Sequence, residues 1–113
     1  MDVVNQGSVY VLGLAFTDEN GNNVTPSAAQ WRLDAEGIGP ITGNNANAWV
    51  TFTPGGSSYN LQITGTQNAM SNNSNNREMR VVTIEFFYGA GNNAATMEYR
   101  YLLTRIENLL DVP

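Results

Sequence analysis

Apolar and polar residues alternate with period two through most of the chain, and the 3.6-residue period of an amphipathic helix never takes hold. From Ser8 to Thr17, Tyr10, Leu12, Leu14 and Phe16 fall on one face, with Val9, Val11, Gly13 and Ala15 on the other. Asp18 to Asn23 reads as a turn, because Asn and Gly tolerate positive φ. Gln30 to Asp34 alternates again with Trp31 and Leu33 inward, and Gly37 to Ile41 is a bend with at most a very short strand. Ala48, Val50 and Phe52 mark a strand ended by Pro54-Gly55-Gly56, and Tyr59, Leu61 and Ile63 mark another ended at Gly65. Ser71 to Asn76 is wholly polar and predicts a mobile loop. Val82, Ile84, Phe86 and Tyr88 give the sixth strand. Met97, Tyr99, Tyr101 and Leu103 give the seventh, running on toward Ile106.

Six to seven strands with turn signals between them predict an antiparallel β-sandwich, with a closed barrel as the alternative. The body spans residues 8–108. Residues 1–7 form an N-terminal arm and residues 109–113 a C-terminal tail, both with some apolar content and no partner among the alternating strands. At least one of these ends is therefore expected to reach a neighbouring subunit, with Val3 and Val4 the candidates at one end and Leu109 and Leu110 at the other, where the tail otherwise packs back on the body.

One register is predicted from the core. With Asn92-Asn93 as the central pair of a type I′ turn, Tyr88 faces Met97, Phe86 faces Tyr99, Ile84 faces Tyr101 and Val82 faces Leu103. On the opposite face the same register sets Glu85 against Arg100.

At 113 residues, 42% of them hydrophobic, the chain is one domain with enough apolar content for a core. It has no Cys and no His, which excludes thiol and imidazole catalysis and Cys/His metal sites. No cofactor and no tightly bound transition metal are expected. The net charge is −5, all the basic residues are arginines, and nucleic acid is not an expected partner. Nor is a membrane, since no apolar run approaches the ~20 residues a spanning helix needs. The first residues lack the basic and apolar regions of a secretory signal, so synthesis in the cytosol is expected.

Several side chains merit a chemical reading. Asp18, Asn20 and Asn22 sit at alternate positions as in calcium loops, yet the twelfth position is Ala29, and turn chemistry accounts for the same residues. Asp34 and Glu36 share a strand face without forming a convincing hydrolase pair. Asn23-Val24-Thr25 and Asn72-Asn73-Ser74 match the glycosylation sequon by chance. Trp31 is read as a core residue. Trp49 and Phe87 run out of phase with their apolar neighbours, so their rings are candidates for a protein contact or, for the tryptophan, a sugar platform.

Phe16 to Gly21, followed by Val24-Thr25-Pro26 and Trp31-Arg32-Leu33, resembles the first hairpin of bacterial and phage immunoglobulin-like domains. Arg80 to Glu85 and Glu98 to Tyr101 are similar to the last two strands of small virion proteins of tailed bacteriophages. The resemblance covers about Ser8 to Asn108. It implies an immunoglobulin-like sandwich without the antibody-type disulfide. It also implies a non-enzymatic virion structural protein, most simply a capsid decoration or cement protein that is made in the host cytoplasm and docks in many copies on capsid or other virion proteins. The alternatives are a neck or tail component, or a carbohydrate-binding or adhesion module.

Overall fold

The computed structural model describes residues 1–43, 47–72, 76–89 and 93–105. The chain is all-β, with no helix among these residues. The described residues form eight strands: β1 (Asp2–Asn5), β2 (Tyr10–Ala15), β3 (Ala28–Ala35), β4 (Gly39–Pro40), β5 (Val50–Phe52), β6 (Ser58–Ile63), β7 (Arg77–Tyr88) and β8 (Asn93–Thr104). The main sheet runs β1-β8-β7-β3-β4, and β5 joins β3 on the same edge as β4. Among the described residues a second sheet consists of β2 and β6 alone. The two sheets remain separate, so the barrel alternative does not hold.

The alternation explains the layers. Leu12, Leu14, Phe16, Leu61 and Ile63 from the small sheet meet Trp31, Leu33, Val82, Ile84 and Phe86 from the large one in a single apolar cluster. Phe16 packs edge-on against Phe86 with centroids 5.0 Å apart, and Tyr10 lies 4.6 Å from Tyr101. Such pairs contribute about 0.5–1.5 kcal/mol beyond the area they bury. Asp18 closes the turn after β2 by accepting from the Asn20 and Asn22 N–H groups, both at 2.9 Å, while Gly21 takes φ 82°.

Three expectations are corrected. Asp2–Asn5 is no arm: it is an edge strand parallel to β8, with Val4 opposite Leu103 and only 7% exposed. An apolar residue two positions from a turn costs little to order when an open edge lies beside it.

The β7–β8 register is also different. Phe86 faces Ala95, Ile84 faces Met97, Val82 faces Tyr99 and Arg80 faces Tyr101, while Glu85 faces Thr96 and Arg100 faces Val81. Asn93 is not at a turn centre but pairs with Tyr88. The slip is of four residues, an even number, so every side chain keeps its face. The predicted register sets Arg80 against Arg105, and like charges directly opposite destabilise a sheet. The observed one sets Arg80 against Tyr101 and places alanines across from Phe86 and Phe87.

Val50 departs from its alternation as well. It faces the same side as Trp31, its ladder partner, yet is 40% exposed, because the two-stranded second sheet leaves that edge uncovered.

The inward face of β7 also carries a charged pair. Glu78 and Arg80 are in phase with Val82, and Arg80 is wholly buried. Arg80 donates through Nε and Nη2 to Glu78 Oε1 at 3.2 and 2.9 Å, through Nη1 to the Gln67 carbonyl at 2.8 Å, and through Nη2 to the Ala69 carbonyl at 2.6 Å. Glu78 Oε2 accepts the N–H groups of Ser71 and Asn72. Beside them the Tyr101 hydroxyl donates to Asn68 Oδ1 at 2.6 Å, and Asn68 Nδ2 donates to the Ser8 carbonyl at 2.8 Å. The loop after β6 is thus held to both long strands and to the N-terminal turn. Gly65 belongs to the same closure, for a Cβ there would lie 2.5 Å from the Gly7 carbonyl oxygen. Part of the polar tract, Asn73 to Asn75, lies outside the described residues, as do Ile106 to Pro113.

Removing one partner of a buried pair strands the other charge, at a cost of about 3–5 kcal/mol. Arg80→Ala is therefore expected to lower stability by that amount in urea denaturation, and Arg80→Met with Glu78→Leu to recover most of it. Burial pushes the Tyr101 hydroxyl up to about 12 from its ordinary 10. The unfolded chain ionises first, so this contribution is complete below pH 10 and is lost as pH climbs from 10 toward 12. Tyr101→Phe should flatten the stability–pH curve in that window while costing about 1–3 kcal/mol at neutral pH through the orphaned Asn68 oxygen.

Candidate interaction surface

The outward face of the main sheet spans four strands, β1, β8, β7 and β3. Its side chains are half-buried or exposed throughout. Ladder partners set its rows. At one end Val3, Leu102 and Met79 form an apolar row across β1, β8 and β7. Next come Arg100, Val81 and Asp34, then Glu98, Thr83 and Arg32, then Thr96, Glu85 and Gln30. Ala94, Phe87 and Ala28 close the far end.

Polar groups on this face satisfy each other. Arg32 makes a bidentate contact with Asp34 at 2.9 and 2.7 Å, and its pKa is raised chiefly by that hydrogen bond. Gln30 Nε2 donates to Glu85 Oε1 at 2.6 Å. Arg100 bridges Glu36 and Glu98. The Asp34 and Glu36 carboxylates read as an acidic pair therefore each hold an arginine. Asp18 is likewise occupied by its own turn. Among the described residues no group of three or more acidic side chains lies close enough to hold a metal ion.

The contact candidates take separate places. Trp49 is 38% exposed, just before β5, with the Arg32 guanidinium 5.6 Å from its ring centroid. The buried Thr42 steadies this corner: its hydroxyl donates to the Ala48 carbonyl at 2.6 Å and accepts the Leu33 N–H. Phe87 is half-buried at the far end of the face. Val3, 64% exposed, is at the other end, eight β7 residues or about 27 Å from Phe87. Val4 points into the core and is out of a partner's reach while β1 stays paired. Leu109 and Leu110 lie outside the described residues. The candidates thus do not converge on one patch.

Not singled out by the sequence are the Val3-Leu102-Met79 row and the exposed Val9 and Val11, the one just before β2 and the other on its back. The valines were visible as the off-phase face of the first strand. The row was not, because it depends on a parallel pairing that local periodicity does not encode.

Comparison with known proteins finds no matching family model, no matching curated protein and no matching solved structure.

The two tryptophans should report the two environments separately. Acrylamide is expected to quench the fluorescence of Trp31→Phe, which keeps Trp49, several-fold more strongly than that of Trp49→Phe, which keeps Trp31. Equal quenching would contradict the exposed placement of the Trp49 ring.

Proposed function

We propose that this chain is a non-enzymatic structural protein of a tailed-bacteriophage virion, a capsid decoration or cement protein with an immunoglobulin-like sandwich. The observation that carries the reading is the open outer face with exposed apolar residues at its margins, Val3 and Trp49 above all. Isolated exposed apolar groups bind weakly, but many copies on a symmetric shell make weak contacts effectively strong. A buried tryptophan, Trp31, on the third strand of a two-sheet packing supports the immunoglobulin-like assignment. The parallel β1 and the two-stranded second sheet depart from the simplest form of that architecture.

A second reading, a carbohydrate-binding module, draws on Trp49 standing beside the polar Arg32 and Asp34. The Arg32 guanidinium already sits over that ring, which favours the protein contact.

Quantitative mass spectrometry of virions from the encoding phage is expected to find the chain in stoichiometric copies. Added to particles stripped of it, the purified protein should bind saturably, and Val3→Asp should weaken binding about tenfold or more, since burying an unpaired charge costs more than one decade of affinity. Absence from virions together with glycan binding by the isolated monomer would favour the second reading.

A further inference from the structure

We infer that two copies of this chain join through the upstream half of β8, pairing antiparallel about a two-fold axis at Thr96 to make one continuous sheet. This goes beyond the virion reading and does not rest on it.

The Gln6 N–H donates to the Thr104 carbonyl at 2.7 Å, and β1 pairs with β8 only from Tyr101 to Thr104. In an antiparallel strand each residue aims its N–H and C=O to the same side, and successive residues alternate. Even-numbered residues of β8 therefore aim toward the β1 side, and odd-numbered ones toward β7. Upstream of Tyr101, no strand among the described residues lies on that side. Ala94, Thr96 and Glu98 thus present their backbone groups along an open edge.

This edge lacks the usual protections. It has no proline or lysine, and no charged side chain points inward. Its inward residues Ala95, Met97 and Tyr99 are apolar, and Met97 and Tyr99 remain only partly buried.

The second copy is the occupant because the segment is complementary to itself, most fully about one axis: an axis at Ala95 pairs only Asn93 to Met97. A two-fold axis that keeps core face with core face must pass through a residue. An axis at Glu98 opposes that carboxylate to itself. Axes at Met97 or beyond draw Arg100 into the pairing, where β1 begins. With the axis at Thr96, Ala94 faces Glu98 of the second copy, Ala95 faces Met97 of the second copy, and the two threonines face each other, a favourable cross-strand pair. No like charges are opposed. The net charge of −5 on each copy opposes encounter at long range, so added salt should strengthen association.

The absence of cysteine makes the test direct. Paired Thr96 Cα atoms would stand about 5.5 Å apart, within disulfide range. Under mild copper-phenanthroline oxidation, the full chain carrying Thr96→Cys is expected to form a linked dimer at least tenfold faster than one carrying Thr83→Cys, a residue on the outer face of central β7. Thr96→Pro removes only an outward N–H and leaves the β7 ladder intact. It should stay folded by circular dichroism yet weaken the dimer about tenfold or more in sedimentation, because the two-fold repeats the lost donor. Wild-type protein that sediments as a monomer at millimolar concentration and high salt would overturn the proposal. So would equal cross-linking rates for the two cysteine variants. Neither result touches particle binding, which Val3→Asp tests at the opposite end of the face.

Discussion

The buried ion pair of Glu78 and Arg80 is the constraint around which the rest of the structure is arranged. A guanidinium with no exposure must find an acceptor for each of its donors, and here these are a carboxylate and the carbonyls of Gln67 and Ala69. Those carbonyls belong to the loop after β6, so meeting the arginine's needs fixes that loop over the end of the core. The loop in turn delivers Asn68, which takes the Tyr101 hydroxyl on one side and the Ser8 carbonyl on the other. Gly7 closes the circuit by donating its N–H to the Asn68 carbonyl at 2.7 Å. Among the described residues no buried side-chain polar atom is left without a partner. A network of this kind contributes more to specifying one arrangement than to net stability, since each ion has lost its hydration.

The same pair bears on the hairpin. Apolar pairing alone leaves β7 and β8 free to slip by an even number of residues, because the core face survives such a slip. Tyr101 opposite Arg80 is what distinguishes the observed register, for it brings the hydroxyl to Asn68 and keeps Arg105 out of the ladder against Arg80. The register follows from polar groups at the strand's end, while the apolar residues in its middle are indifferent to it.

The surface has a corresponding logic. Ion pairs on the outer face share out the few arginines, so charge there is locally neutralised and orientation is set. Apolar exposure collects at margins and edges: Val3 beside β8, Trp49 at the β5 corner, and Val9 and Val11 behind β2. Among the described residues, the edges left open by a short β1 and a two-stranded second sheet are where backbone and apolar groups lack strand partners. Both functional proposals draw on that property, one on the face and one on the edge.

Local alternation determined a good deal by itself. The all-β class, the inward sets of β2, β3, β6 and β7, the core placement of Trp31 and the exposure of Trp49 were all legible, because a period of two assigns faces without reference to any neighbour. Asp18-Glu19-Asn20-Gly21 was legible as a turn for the equally local reason that its side chain and its glycine satisfy backbone needs within a few residues. What tertiary structure decided involves partners far apart in sequence. Val4 became core because Leu103 was there to pair with it, and Val50 became surface because no strand among the described residues covers it. Arg80 became interior because a loop more than ten residues away supplied its acceptors. A strand's pattern states which side of it is apolar. Only the assembled sheets state which strand lies beside it, in what register, and whether anything lies on top.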